Sequence, residues 1–149
     1  MSSEKSEVIA VCLSERKGIQ KHEVSEIELQ IGLGIVSDAH AGNWHRQVSL
    51  LADESVEKMR ALGWKLTPGA FAENILTRGI ELKTMSVGTL IEIGNTLLCV
   101  TQIGKECHND CIIKQTTGKC VMPTEGIFAV VVREGIIKPG DEIKVKTMS

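Results

Sequence analysis

Aromatic side chains are scarce in this chain of 149 residues, which has two Trp, two Phe and no Tyr. Base-stacking platforms therefore have little to be built from. With a formal net charge of -2, no global positive field draws the chain to nucleic acid or to anionic lipid. Long apolar runs are missing as well: none approaches the roughly 18 residues needed to span a bilayer, and the opening stretch Met1 to Glu7 is polar with no signal-like core. These absences argue against a nucleic-acid partner and a membrane partner, and the expected location is the cytoplasm.

What is present is an ordinary folded composition, 42% hydrophobic and 24% charged, in which Val, Ile and Leu must fill the interior and favour strands. The length suits a single domain over residues 1–149 with a core large enough to need no disulfide staples. Five cysteines is an odd number, and in a reducing compartment thiols serve metal binding, catalysis or burial. Cys12 and Cys99 sit inside the apolar runs 8–13 and 97–100, where a thiol behaves as a small hydrophobe.

Alternation and turn residues predict strands at Val8 to Leu13, Ser25 to Gln30, Gln47 to Leu51, Thr89 to Ile93, Thr96 to Gln102, Ile127 to Arg133 and Glu142 to Lys146. Gly94-Asn95 joins two of them as a tight hairpin. Pro139-Gly140-Asp141 is a turn before a last strand with one wet face, which closes or edges the sheet. One helix is predicted from Asp53 as cap to Gly63 as stop, with Val56, Met59 and Leu62 on one face, and a second helix is weaker. Residues 63–87 carry no obvious strand. The expected fold class is mainly β: a closed or partly closed β-barrel with one or two short helices.

Three segments gather chemistry. Gly32 to Arg46 holds glycines, Asp38, His40, His45 and Arg46, suited to a ligand-facing loop in which Arg46 offers a planar fork to phosphate or carboxylate. By itself it also reads as an ordinary solvated loop. Pro68 to Gly79 holds Glu73, Asn74 and Arg78 beside the core anchors Phe71, Ile75 and Leu76. The third is Lys105-Glu106-Cys107-His108-Asn109-Asp110-Cys111 with Cys120. Lys105 and His108 flank Cys107, and neighbouring cations favour the reactive thiolate. The same thiols, Cys107, Cys111 and Cys120 with His108, have a zinc reading, although no second ligand pair follows. Plain burial is the third reading.

Together these segments resemble the MOSC domain family, named for the C-terminal domain of molybdenum cofactor sulfurase. Asp38, His40, Gly42 and Arg46 leading into Val48 to Leu51 are similar to its first motif. Pro68 to Gly79 is similar to its second, and Val87-Gly88-Thr89 through Gly94 leads to the motif cysteine at Cys107. The chain departs from the pattern at Ser37 and Ala72, where many members have glycine, and at Glu106, where proline is common. The resemblance is to short stand-alone members, which share Cys111, Cys120 and the stretch Met122 to Phe128.

The resemblance implies a β-barrel acting in sulfur or molybdenum-cofactor chemistry. Cys107 is its catalytic residue, carrying a persulfide or ligating molybdenum, and both roles need an accessible thiolate. Asp38, His40, Arg46, Asn74, Arg78 and Lys105 are the expected cofactor-binding residues, with the arginines, Lys105 and Asn74 assigned to the phosphate of molybdopterin. Cys111 or Cys120 would either resolve a persulfide or join an ion site. The implied partners are a sulfur donor or a cofactor-biosynthesis protein, and pyridoxal phosphate is not expected in this chain. Sulfur transferase activity stays open. The rivals are a zinc-stabilised binding module, with Cys107, Cys111, Cys120 and His108 as ligands, and a molybdenum-dependent reductase of small molecules.

Overall fold

The computed structural model describes residues 6–16, 20–63, 65–104 and 126–146. Among them the elements run β1 (Glu7–Leu13), β2 (His22–Val24), β3 (Ile27–Gln30), β4 (Gly34–Ile35), β5 (Val48–Ala52), α1 (Asp53–Arg60) and β6 (Ile75–Arg78). A 3-10 turn at Leu82–Thr84 follows, then β7 (Leu90–Ile93), β8 (Thr96–Ile103), β9 (Ile127–Arg133), β10 (Gly135–Ile137) and β11 (Ile143–Lys146). Eight strands form one sheet in the order β11-β7-β8-β9-β5-β6-β1-β2, and β10-β3-β4 form a second.

The aliphatic runs explain the layering. β5 is buried at every position, so its Val-Ser-Leu-Leu-Ala run shows the continuity of a strand covered on both faces rather than alternation. Val48, Leu50 and Ala52 join Ile27, Leu29, Ile35 and Ile137 of the small sheet in the larger core. Leu51 points to the other face, with Ala10, Leu76, Phe128 and the helix residues Val56 and Met59. β5 and β6 are parallel, and such a pair needs a crossover connection, which α1 and residues 61–74 supply.

The expected barrel is not closed. Among the described residues no strand ladder joins β11 to the far side of the large sheet; the two ends meet there through a bridge between Glu7 and Glu142 and a few backbone bonds. Val8 N donates to Asp141 O at 2.9 Å, Gly140 N to Val8 O at 2.8 Å and Ile143 N to Ser6 O at 2.8 Å. β2 covers β1 only along Val11 to Leu13. The remainder of that edge meets Gly140 and Asp141 of the turn before β11.

Every predicted strand is present, with ends moved by up to two residues. The Gly94-Asn95 hairpin holds, with Ile93 opposite Thr96 and Gly94 at a φ of 55°. β11 does edge the sheet, but Val145 is 44% exposed and the alternation is lost after Ile143.

Other expectations are corrected. β6 runs inside the region 63–87, its four residues being too few to stand out from the turn residues before them. The weaker second helix is only the 3-10 turn. Asp53 does not cap α1: Ala52 occupies the cap without a side-chain bond, and Asp53 stands in the first turn, where its carboxylate faces Arg60 and Arg78. Leu62 falls past the helix end and is 62% exposed. Cys12 is buried as expected, whereas Cys99 is only half-buried. Among the described residues, no helix is long and apolar enough to cross a membrane.

Candidate functional site

The loop after β4 and the loop before β6 converge on the C-terminal end of β1. At Ser14, just past β1, the backbone N–H donates to Asp38 Oδ1 at 3.1 Å, and Ala39 N donates to Ser14 O at 2.7 Å. Asp38 turns its second oxygen to the His40 N–H at 3.1 Å, the two-residue loop that a short carboxylate makes with its own backbone. Lys21 enters from the other side, and its Nζ lies 2.8 Å from Asp38 Oδ1, 3.2 Å from Ser14 Oγ and 3.0 Å from His40 Nδ1. Neither Lys21 nor Asp38 exposes any side-chain surface.

Electrostatics follow the geometry. Burial alone would raise the Asp38 pKa, but the His40 contact, the Lys21 hydrogen bond and charge, and the Ser14 N–H outweigh it and hold the carboxyl well below its usual range. Burial lowers the pKa of Lys21, with Asp38 offsetting part of that.

Glu73, in the second loop, is a buried carboxyl with no ammonium in bonding distance among the described residues. It accepts Gly69 N at 2.8 Å and Phe71 N at 3.1 Å. Burial still pushes its pKa up to about 7 against these backbone bonds and the more distant charge of Lys21. The two loops are tied together where Lys21 N donates to Gly69 O at 2.9 Å. A Cβ on Gly69 would sit 2.1 Å from Lys21 O, and its φ is +89°, so only glycine fits.

Both departures from the family's glycine pattern fall where glycine is favoured. Ser37 has a φ of 72° and Ala72 a φ of 62°, and these are the non-glycine residues with positive φ among those described. Each directly precedes one of the buried carboxyl residues.

Arg46 lies on the helix-covered face of the sheet. Its guanidinium sits 5.3 Å from the Phe128 ring centroid, and its Nε donates to Gln102 Oε1 at 2.9 Å. The same oxygen is 3.0 Å from His45 Nε2, and the Thr101 hydroxyl donates to His45 O. Gln102 Nε2 donates to Gly104 O at 2.7 Å, and Gly104 N donates to Gly126 O at 2.6 Å. The Arg46 network is therefore fastened through Gln102 to Gly104 and through it to Gly126. Among the described residues, no acceptor engages the Nη atoms of Arg46.

The remaining expected residues divide. Asn74 is fully buried and acts as a clasp: its Oδ1 accepts Ser49 N at 3.0 Å and the Ser49 hydroxyl at 3.1 Å, and its Nδ2 donates to Cys12 O at 3.1 Å. Arg78 stands apart. The register pairs Ala52 with Thr77, so Arg78 lies beyond the C-terminal end of β5 while Arg46 precedes its N-terminal end. Five strand residues place them at least roughly 15 Å apart, and Arg78 faces Asp53 at 3.5 Å. Lys105, Cys107, His108, Cys111 and Cys120 lie outside the described residues, and with them both the expected catalytic cysteine and the whole zinc reading. Among the described residues, no three His, Cys, Asp or Glu side chains are grouped to hold a metal ion.

Sequence reasoning missed Lys21, Ser14 and Gln102. Lys21 stands in the polar run Gln20-Lys21-His22-Glu23, which carries no signal of burial.

A model of the MOSC domain matches residues 37–144. The chain belongs to the MOSC domain family. The match spans both loops and the network around Gly104. Among solved structures, this MOSC domain is similar to YuaD from Bacillus subtilis, with a TM-score of 0.78 at 18% identity over 97% of each chain. It is also similar to YiiM from Geobacillus stearothermophilus (TM-score 0.73, 19% identity, 95% of this chain and 75% of that one). YiiM from Escherichia coli gives a TM-score of 0.65 at 15% identity, over 96% and 71%. At such identities the likeness is one of fold. No curated protein matches by sequence.

Proposed function

We propose that this MOSC domain is a cytoplasmic carrier that takes up molybdenum cofactor or persulfide sulfur at Cys107 and hands it on during cofactor maturation. The observation that supports the reading is the Arg46 network: a guanidinium with its Nη edge unengaged among the described residues, bound through Gln102 to Gly104. Cys107 follows three residues later, and three residues of chain reach at most about 11 Å.

The donor set fits the cofactor's two ends. Arg46 offers the bidentate fork suited to a phosphate, and the thiolate of Cys107 is a soft ligand suited to a sulfur-bound metal. When bound, the cofactor would supply a metal centre for sulfur or oxygen exchange. In the persulfide form of the reaction the Cys107 thiolate attacks the terminal sulfur of a donor R–S–SH. The donor thiolate leaves, and Cys107 carries the S–SH group.

Mass spectrometry of the intact protein after incubation with a persulfide donor tests the reading. One added sulfur atom, mapped to Cys107 and lost in Cys107→Ser, is the expected result. Stoichiometric zinc that survives Cys107→Ser, with no sulfur uptake, would overturn it in favour of a zinc-stabilised binding module.

A further inference from the structure

The buried ammonium of Lys21 has three N–H donors and three acceptors around it, Asp38 Oδ1, Ser14 Oγ and His40 Nδ1, at 2.8, 3.2 and 3.0 Å. The roles of two acceptors are already set. Asp38 is paired with the Lys21 ammonium itself and accepts the Ser14 N–H, and the Ser14 hydroxyl spends its proton on Arg16 O at 3.0 Å, leaving a lone pair toward Lys21. The third donor therefore meets His40 Nδ1, which must offer a lone pair. The proton of the neutral ring is then on Nε2. The 3.7 Å separation of His40 Nδ1 from Asp38 Oδ2 is, on this assignment, a neighbouring contact and not an ion pair.

The ring is also held in place. Trp44 Nε1 donates to His40 O at 2.7 Å, and the two rings stack 4° from parallel with centroids 6.3 Å apart. The His40 side chain keeps 22% of its surface exposed, and Nε2 has no partner among the described residues.

We infer that Lys21 is a positioning residue that locks His40 in its Nε2–H form, so that this loop presents a hydrogen-bond donor to an oxyanion and not a lone pair to a metal ion. Both ring nitrogens are then closed to metal, Nδ1 by the ammonium and Nε2 by its own proton. The ligand class this selects is a phosphate-like or oxo anion. That half of the inference shares the site of the proposed carrier function, while the tautomer half stands without it.

Proton–nitrogen correlation spectra of nitrogen-labelled protein test it directly, with His40→Gln used to assign the signal. The expected wild-type pattern is the Nε2–H tautomer, saturably shifted by inorganic phosphate and unmoved by zinc. Lys21→Met should lose the dominance of that tautomer. Lys21→Met/Asp38→Asn removes both buried charges together and keeps the test available where the single variant fails to fold; its phosphate midpoint should rise about tenfold. An Nδ1–H ring in the wild type, an unchanged tautomer in either Lys21 variant, no phosphate response at His40, or direct zinc ligation by His40 would each overturn the inference. The tautomer is read at the His40 ring and sulfur uptake is read by mass, so failure of this inference and failure of the sulfur reading are distinguishable.

Discussion

The two loops that build the site pose one problem twice and answer it differently. Each puts a left-handed, non-glycine residue directly before a buried carboxyl residue, Ser37 before Asp38 and Ala72 before Glu73. Each carboxyl group collects backbone N–H donors. Yet Asp38 is held ionised and Glu73 is pushed up to about 7. Asp38 has side-chain partners that Glu73 lacks, the His40 contact and an ammonium at 2.8 Å. Backbone dipoles alone do not offset the loss of hydration around a buried carboxylate, whereas backbone dipoles with side-chain partners, one of them a buried cation, do.

Removing that cation is the most severe way to break the contrast. Lys21→Met should cost about 3 to 5 kcal/mol in chemical denaturation, because an unpaired charge is left inside. Lys21→Met/Asp38→Asn should recover a large part of the loss. A single variant that unfolds at the wild-type midpoint would show that the pair contributes nothing.

Acid and base should then separate the two loops. The Glu73 pKa is raised in the folded state, so between about pH 4.5 and pH 7 the folded chain keeps a proton that the unfolded chain has released. Its contribution to stability is therefore present below the unfolded pKa and falls by about 3 kcal/mol as pH rises through that window. Asp38, lowered in the folded state, has the opposite sign: it contributes above the unfolded value of 3.8 and loses that contribution as pH falls below it. Denaturation midpoints measured from pH 4.5 to pH 8 should show the Glu73 slope in the wild type and lack it in Glu73→Gln.

Glu73→Gln sharpens the comparison further. An amide keeps one acceptor oxygen but turns N–H groups toward a backbone donor, since Gly69 N and Phe71 N each use a different oxygen of Glu73. The substitution should cost about 1 to 3 kcal/mol at pH 5 and less at pH 8, as the charged form of Glu73 itself becomes unfavourable. Equal costs at both pH values would mean that the carboxyl does not titrate in this range.

The smallest effects are expected at the residues before each carboxyl. Ser37→Gly and Ala72→Gly relieve left-handed strain of about 1 to 2 kcal/mol, set against the entropy that glycine adds to the unfolded chain. Each should stabilise by under about 1 kcal/mol in thermal unfolding. Destabilisation at either site would show that the loop depends on the Ser37 or Ala72 side chain itself.

Much of this molecule was legible in its residues, and the reasons are local. The apolar runs marked seven strands, Gly94-Asn95 marked a hairpin, and Val56 and Met59 marked the buried face of α1. β6 escaped because a four-residue parallel strand takes its partner from a distant segment. The two loops were visible as concentrations of glycine, carboxylate and arginine. Their internal division was not: Asn74 reads as a ligand contact but clasps Ser49 to Cys12, and Arg78 reads as a partner of Arg46 but faces Asp53 at the other end of the parallel pair.

Composition and periodicity by themselves determined a mainly β chain, and its motifs carried the resemblance to the MOSC family, because side-chain alternation and turn residues are properties of neighbours along the chain. Tertiary structure alone decided that the sheet curls without closing, that Lys21 leaves a polar run to become fully buried, and that of two similar carboxyl residues only one is held charged. Burial and charge pairing act through distances in space, and Lys21 is 17 residues from the aspartate it neutralises.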